Sequence, residues 1–486
     1  MAARRVVVVG AGMTGLVAAR ELAKDGRFKV VCLEASDHVG GQVRTLEIDG
    51  ARVDVGAEAV HLGAPHVAAL VRELGLAADV VGAAPGGSVM ATRKGLRPLP
   101  AGVGPTGPTK VLPVLKSGIL TPLGILRAGL EPVMARRRIT EDVSVGDFTA
   151  RRFGKEVTAT FVDPLLGNLH GGDVHRLSLQ ATAPQLAPDA ANGVSLLLKN
   201  LQLPRPVARV VGRVVPALAP KDTPAHPAPS GSPMPMFASW PTGLQAFPQA
   251  LAAQGGAELR TNSPVTGLDR LDDRWVLILG SGERLEADEV LLTTPGKISA
   301  ELLRPHCPEA AALYDAVPTA SVATVVLGYD PSQVAENRIL REHNGILLPS
   351  MRARTFKAAT NLSRKWRGLG ATHHLLRASV GRTGNTLADD LTEQQMTSRV
   401  ADELAELTGL TGRPQVSVVH RWPDAMPQLQ PGHKQRVATA REALARINGL
   451  HIAGCSVDGL GIGATVKSGQ QAAQQIITNF NEKDAQ

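Results

Sequence analysis

Cysteine is scarce in this 486-residue chain: Cys32, Cys307 and Cys455 stand far apart and odd in number. That argues against a disulfide framework, and their spacing fits no metal site, so none is expected. Aromatic residues make up only 3% of the chain, too few for the stacking platforms of a nucleic-acid binder. The formal net charge is +8, but the basic residues are dispersed, with one local run at Arg136-Arg137-Arg138. Without a basic stripe interleaved with aromatics, nucleic acid is not an expected partner. No apolar run reaches the ~18 residues of a membrane-spanning helix. Val6-Val7-Val8-Val9 is too short for a signal-peptide core, and a cytoplasmic location is expected. Residues 132–138 close a weakly apolar region with that basic run, a composition able to rest on an anionic membrane surface. A solvated basic loop is the plainer alternative.

What is present starts at the N-terminus. The length implies two or three domains, and the first opens with the β-branched run at Val6 to Val9, a strand buried on both faces of a parallel sheet. Gly10-Ala11-Gly12-Met13-Thr14-Gly15 follows, then a helical pattern over residues 16–24 and a second buried strand over 29–33. Strand, glycine turn, helix and strand in that order make a dinucleotide-binding unit. Gly10 allows the tight turn, Gly12 lets a pyrophosphate approach the backbone, and Gly15 lets the helix close on the sheet. Glu34 ends the second strand 24 positions after Gly10, where a carboxylate can accept both ribose hydroxyls.

Later runs separate one dinucleotide from another. Glu34-Ala35 leads into Asp37-His38-Val39-Gly40-Gly41-Gln42-Val43-Arg44-Thr45, then Asp54-Val55-Gly56-Ala57-Glu58. Near the C-terminus stand Ala453-Gly454-Cys455 and Gly459-Leu460-Gly461-Ile462-Gly463. A strand that delivers glycines to a helix N-terminus can stabilise negative charge developing on a reduced flavin. These runs resemble the FAD-binding segments of the amine oxidase and protoporphyrinogen oxidase flavoproteins. Phe153-Gly154, Asp163-Pro164-Leu165-Leu166-Gly167, Lys365-Trp366, Arg377-Ala378-Ser379-Val380-Gly381-Arg382 and His420-Arg421-Trp422-Pro423 resemble the porphyrinogen oxidases of Gram-positive bacteria. Nearly end to end, the chain is similar to the protoporphyrinogen/coproporphyrinogen III oxidase family.

That resemblance implies an α/β fold: a Rossmann-type FAD-binding domain, a mixed-sheet substrate domain and a helical insertion. The FAD-binding domain is expected in three parts, at 1–95, 236–300 and 415–486. The helical, substrate- or membrane-facing insertion is expected at 96–200, a Pro/Ala-rich linker at 201–235 and the substrate domain at 301–414. FAD, held without a covalent link, is expected to meet Gly10 to Gly15, Glu34, Ala35, Gly40, Gly41 and Gln42. Gly56, Ala57, Glu58, Ala59, Val265, Trp422, Gly454, Gly461, Ile462 and Gly463 complete that set. The implied activity is dehydrogenation of a hydrophobic substrate by hydride transfer to flavin N5 with oxygen as acceptor, coproporphyrinogen III giving coproporphyrin III. The alternative is a relative recruited to act on a C–N or C–C bond of another metabolite.

Several positions depart from the family pattern. Family members usually carry basic residues where this chain has Gly63-Ala64-Pro65, so a substrate propionate loses its partner there. His38 and Gln42 flank the glycine pair where basic residues are usual. Leu169-His170 and Leu429 replace aromatics, and Gly463 replaces a proline. Asn168, Leu169 and His170 are the pocket candidates, with His170 a candidate base beside its plainer structural role. Arg97 is the candidate carboxylate clamp, with a merely solvated arginine as the alternative. His433 is read as structural.

Overall fold

The computed structural model describes residues 3–200, 234–370 and 372–484. The linker expected at 201–235 lies outside them except for Met234 and Pro235. The opening β-branched run becomes the strand Arg4–Val9, at the centre of a parallel sheet. Its order is Glu258–Arg260, Phe28–Leu33, Arg4–Val9, Glu289–Leu292, Leu450–Ile452. Val6 and Val8 pack on one side with Leu16, Val17 and Ile476; Val7 and Val9 pack on the other with Leu302 and Leu313. Burial on both faces is why the run does not alternate. On the first side lie two helices, Met13–Lys24 and the C-terminal Ile462–Asp484. Gly469 permits their contact, since a Cβ there would sit 2.4 Å from Thr14 O.

A second, seven-stranded sheet runs in the order Val416–Pro427, Thr319–Tyr329, His374–Val380, Phe356–Asn361, Gly345–Leu347, Ser88–Thr92, Gly95–Pro98. Its pairs are antiparallel except Gly345–Leu347 with Ser88–Thr92. Ala323, Val325, Leu327, Ala378 and Val380 cover one face, packed with Met396, Val400 and Leu404 of the helix Glu393–Thr408. That helix starts at a Thr392–Gln395 capping box and stops at Gly409, φ 74°, both ends being spelled in the sequence. On the opposite face Val326 and Leu375 pack with Ile48 and Val53 of the hairpin formed by Thr45–Ile48 and Ala51–Asp54.

Two of the expected domain divisions shift. Ser88–Thr92 and Val416–Pro427, grouped by sequence with the FAD-binding parts, are strands of the second sheet. A short strand carries no local mark of which distant partner it pairs with, so the sequence could not place it. The helical layer is also more broken than expected. Within the insertion expected to be helical, Val145–Phe153 ends at Gly154 (φ 99°), and Thr158–Gly167 is π-helical around Pro164. Proline lacks the N–H an α-helical ladder needs, and a wider turn accommodates its absence. Buried Glu131 anchors this layer by pairing with buried Arg152 at 3.3 Å and accepting from Leu196 N.

Candidate active site

The phosphate turn is closed by backbone and open toward one side. Gly10 adopts φ 102°, where a Cβ would lie 3.0 Å from Thr293 Oγ1, and a Cβ on Gly15 would lie 1.9 Å from Gly10 O. Neither position tolerates a side chain. Gly40 donates to Ala11 O at 2.8 Å, and a Cβ on Gly41 would lie 3.3 Å from Gly12 Cα. Thus the double-glycine run is laid directly on the phosphate turn. By contrast, a Cβ on Gly12 or on Gly461 would meet nothing within 4 Å. Those two are the open glycines, which suits a cradle for a dinucleotide.

Glu34 sits at this turn with its carboxylate already engaged. Oε2 accepts from Ala11 N (2.8 Å), and Oε1 accepts from Ser36 N (2.9 Å) and Ser36 Oγ (2.8 Å). A carboxylate has about four lone-pair sites, so accepting both ribose hydroxyls requires a rearrangement. Ser36 provides it: its single hydroxyl proton also has His38 O at 2.8 Å, and turning there frees Oε1. Ala35 is exposed beside it, and Val265 opens the next strand just after Ser263, whose N–H donates to Glu34 O at 2.8 Å.

The Asp54–Glu58 turn ties the double-glycine run to the second sheet. Ala57 donates to Gln42 O at 2.9 Å, and a Cβ on Gly56 would lie 1.9 Å from that same oxygen. Trp422 Nε1 and Thr324 Oγ1, both from the second sheet, donate to Val55 O at 3.0 and 2.6 Å. Gln42 Nε2 donates to Ala425 O at 2.6 Å. Glu58, expected to face the cofactor, has both carboxylate oxygens engaged by protein. Lys365 Nζ (2.6 Å) and Trp366 Nε1 (3.0 Å) donate to Oε1, and Arg377 NH1 (2.8 Å) donates to Oε2. Burial opposes its ionisation, yet the Lys365 and Arg377 charges win and hold its pKa at about 2. At Glu58 the backbone, and not the carboxylate, is thus left to meet a ligand. Asp54, four residues earlier, goes the other way: burial pushes it up to about 6 despite hydrogen bonds from Thr45 Oγ1 and Leu244 N.

The C-terminal glycines shape a second helix N-terminus. Gly454 (φ 118°) donates to Ser468 Oγ at 2.9 Å, and Gly461 (φ 97°) immediately precedes the helix that starts at Ile462. Gly463 O lies 2.8 Å from His66 Nε2, and the nearest atoms to a Cβ on Gly463 would be Val67 Cγ2 and Ala64 Cβ. The segment Gly63-Ala64-Pro65 thus abuts this helix start, and it brings no cation there.

The remaining sequence candidates separate. Asn168 and His170 are buried under the second sheet; Asn168 Nδ2 donates to Lys357 O (2.8 Å) and Leu348 O (3.2 Å). Leu169 points outward, 66% exposed. Burial, then the Lys357 charge, depresses the His170 pKa to about 4, so the imidazole is neutral at pH 7. Its Nδ1 is buried without a hydrogen-bond partner. His433 Nε2 lies 2.9 Å from Val457 O in a buried structural contact. Arg97 corrects the expected clamp: it is exposed on the outermost strand of the second sheet. That strand lies three strands, roughly 14 Å, from the one carrying Lys357. Lys357 itself, buried in the site, is the residue the sequence reading missed; one unremarkable lysine in a strand offers no motif.

A glycine cradle, an acid at the second strand end and a second glycine-led helix start fit a dinucleotide that ends in a redox ring, the architecture of a flavin-dependent oxidoreductase. Residues 13–477 match the model for flavin-containing amine oxidoreductases, and the chain belongs to that family, with FAD as its cofactor. It is 30% identical to a coproporphyrinogen III oxidase of Bacillus subtilis, the match covering 98% of both chains. It is 28% identical to the protoporphyrinogen oxidase of Homo sapiens, again over 98% of each. A crystal structure from Exiguobacterium sp. 255-15, given a protoporphyrinogen oxidase name, superposes with a TM-score of 0.81 at 25% identity, covering 98% of this chain and 99% of that one.

Proposed function

We propose that this protein oxidises coproporphyrinogen III to coproporphyrin III with molecular oxygen as acceptor. The observation that carries the reading is the end-to-end match to enzymes of that name. When bound, FAD supplies a two-electron acceptor. The protein's part is to hold the substrate against the second sheet and to exclude water there. Neutral His170, buried under the second sheet near Lys357, is able to accept a proton. Purified enzyme given coproporphyrinogen III in air should develop porphyrin fluorescence, with one peroxide formed per pair of hydrogens removed. No fluorescence, with FAD fully bound, rejects the reading. The missing cation at Gly63-Ala64-Pro65 favours the rival, a relative recruited to a C–N or C–C bond elsewhere, which the same assay with amines tests. Bound FAD should leave with the supernatant on acid precipitation, and colour held in the pellet would mean a covalent link.

A peripheral membrane contact belongs to the same reading. Helices Val111–Ser117, Pro122–Gly129 and Glu131–Met134 leave Leu112, Leu115, Leu123, Leu126, Leu130 and Val133 exposed by 41–78%. Exposed Lys110, Lys116 and Arg136 to Arg138 lie on or beside the same helices. Apolar side chains beside cations suit an anionic bilayer surface. Co-sedimentation with anionic vesicles, reduced in a Leu123→Asp/Leu126→Asp variant, is the expected result; equal sedimentation by the variant excludes this surface.

A further inference from the structure

Three cations are buried among the described residues: Arg20, Arg152 and Lys357. Two are matched to acids, Arg20 to Glu73 at 3.1 Å and Arg152 to Glu131 at 3.3 Å. Lys357, only 5% exposed, has no acid and no hydrogen-bond acceptor on its ammonium among the described residues. An unpaired buried ammonium is costly, so one kept in place calls for an anion that the protein itself does not provide.

The backbone is shaped to present it. Phe356 pairs with Val380 and Ala358 with Ser379, so Lys357 is the extra residue of a β-bulge. A bulge re-aims a side chain. Phe356 stays in the apolar core with Val380, while the Lys357 ammonium reaches the other side of the sheet. There a Cβ built on Gly171 would lie 3.3 Å from Lys357 Nζ, 3.4 Å from Val322 Cγ1 and 3.5 Å from Met426 Cγ. Asn168 fixes the bulge by donating to Lys357 O.

Its neighbours add to the deficit of negative charge. Arg382 uses NH2 on Gly172 O (2.8 Å) and Asp163 Oδ1 (3.2 Å), but its NH1 is buried without a partner, as is His170 Nδ1. Asp163 already accepts from Ser350 N and Ser350 Oγ, both at 2.7 Å. Arg377 is held by Glu58 and Gly56 O at the turn. Lys357, Arg382 NH1 and Arg377 Nε are therefore left without an acceptor among the described residues.

We propose that Lys357, with Arg382 NH1 beside it, is the carboxylate-binding group of the substrate site, replacing the cation missing at Gly63-Ala64-Pro65. This rests on the porphyrinogen reading and names the part of the substrate it would grip: an acidic side arm of a large, otherwise apolar ring. Burial, then the charges of Arg382 and Arg377, depress the lysine to about 7. A carboxylate partner favours the ammonium again.

The test titrates FAD-loaded enzyme with coproporphyrin III and separately with its tetramethyl ester, reading each dissociation constant from the porphyrin absorbance. Lys357→Met should weaken the free acid by about tenfold to a hundredfold and leave the ester unchanged. Lys357→Arg should restore most of the acid affinity. In turnover, Lys357→Met should raise KM while kcat holds, the sign of lost uniform binding. Equal weakening of acid and ester would make Lys357 a packing residue and overturn the proposal, as would unchanged binding of both. So would a flavin absorbance or reduction potential that moves in the ligand-free variant, since the lysine would then face the cofactor. If wild-type enzyme binds coproporphyrin selectively but never oxidises the porphyrinogen, the oxidase reading fails and the lysine assignment stands. If it oxidises the porphyrinogen and Lys357→Met changes nothing, only the lysine assignment fails.

Discussion

At the phosphate turn, every position where a side chain would collide is a glycine, and backbone fills the space left. At the substrate face, by contrast, large polar side chains carry hydrogen-bonding atoms unused among the described residues: His170 Nδ1, Arg382 NH1, Arg377 Nε and the Lys357 ammonium. The first region is closed by backbone except at Gly12, where a Cβ would meet nothing within 4 Å. The second is complete only when something anionic enters. A cradle made by backbone can be rigid at little cost. A site that must recognise charge carries an electrostatic deficit until it is filled.

The sharpest way to break that contrast lies within the phosphate turn. Gly15→Ala places a Cβ against a backbone oxygen. Its cost should exceed the ~1–3 kcal/mol usual for overpacking, because backbone cannot step aside. The melting temperature should collapse with or without FAD. Gly12→Ala should leave the FAD-free protein's melting temperature unchanged and weaken FAD binding at least about tenfold, an opened cradle having been filled. If both variants unfold alike, Gly12 is structural and the distinction is lost.

Glu58 tests the seam between the two regions. Glu58→Gln removes one side of a largely buried pair with Lys365 and Arg377 and should cost about 2–3 kcal/mol, below the ~3–5 of a fully buried pair because the cations retain some exposure. The pH dependence follows from its lowered pKa. Folding holds the carboxylate at about 2 against an ordinary 4.5, so its contribution is full above pH ~4.5 and is lost as pH falls toward 2. Denaturant midpoints measured between pH 6 and 3 should fall more steeply for wild type than for Glu58→Gln. Parallel curves would show that the pair does not stabilise the fold.

Glu34→Ala should act mostly on the ligand. Losing a charge-assisted hydrogen bond to ribose is worth about 1.5–3 kcal/mol, a ten- to hundredfold weaker FAD dissociation constant. The Ala11 and Ser36 N–H groups also lose their acceptor, so a melting shift of a few degrees should accompany it. An unchanged dissociation constant would show that the ribose does not use this acid.

The same contrast decides what could be read from sequence. Gly10, Gly12, Gly15 and Glu34 act through local backbone geometry within one βαβ unit, so their spacing alone declares them. The strand runs at Val6 to Val9 and at residues 29–33 were legible because burial dictates composition. Strand partnership was not: Ser88–Thr92 belongs to the second sheet through Gly345–Leu347, more than 250 positions away. Nor was the substrate cation. Lys357 matters because of a one-residue bulge and because its neighbours offer it no acid, and both are properties of the folded sheet. The role expected of Glu58 changed for a similar reason, since Lys365, Trp366 and Arg377 lie about 300 positions along the chain and nothing local announces their arrival.

The smallest expected effect is the one that separates the two candidate clamps. Arg97 was the clamp candidate in the sequence, and the structure puts it on the outer strand Gly95–Pro98, exposed and paired through its backbone with Met90. No ion pair or side-chain hydrogen bond holds it among the described residues. Arg97→Ala should therefore change stability by no more than about 0.5 kcal/mol, the usual range for such surface substitutions. Its KM for coproporphyrinogen should stay within about twofold of wild type, since an exposed charge this far out contributes little through water. Measured side by side with Lys357→Met at the same ionic strength, the two variants assign the carboxylate to one cation. A large KM rise in Arg97→Ala, with Lys357→Met silent, would place the side arm at the outer edge of the sheet. The buried lysine would then be left with no anion to explain it.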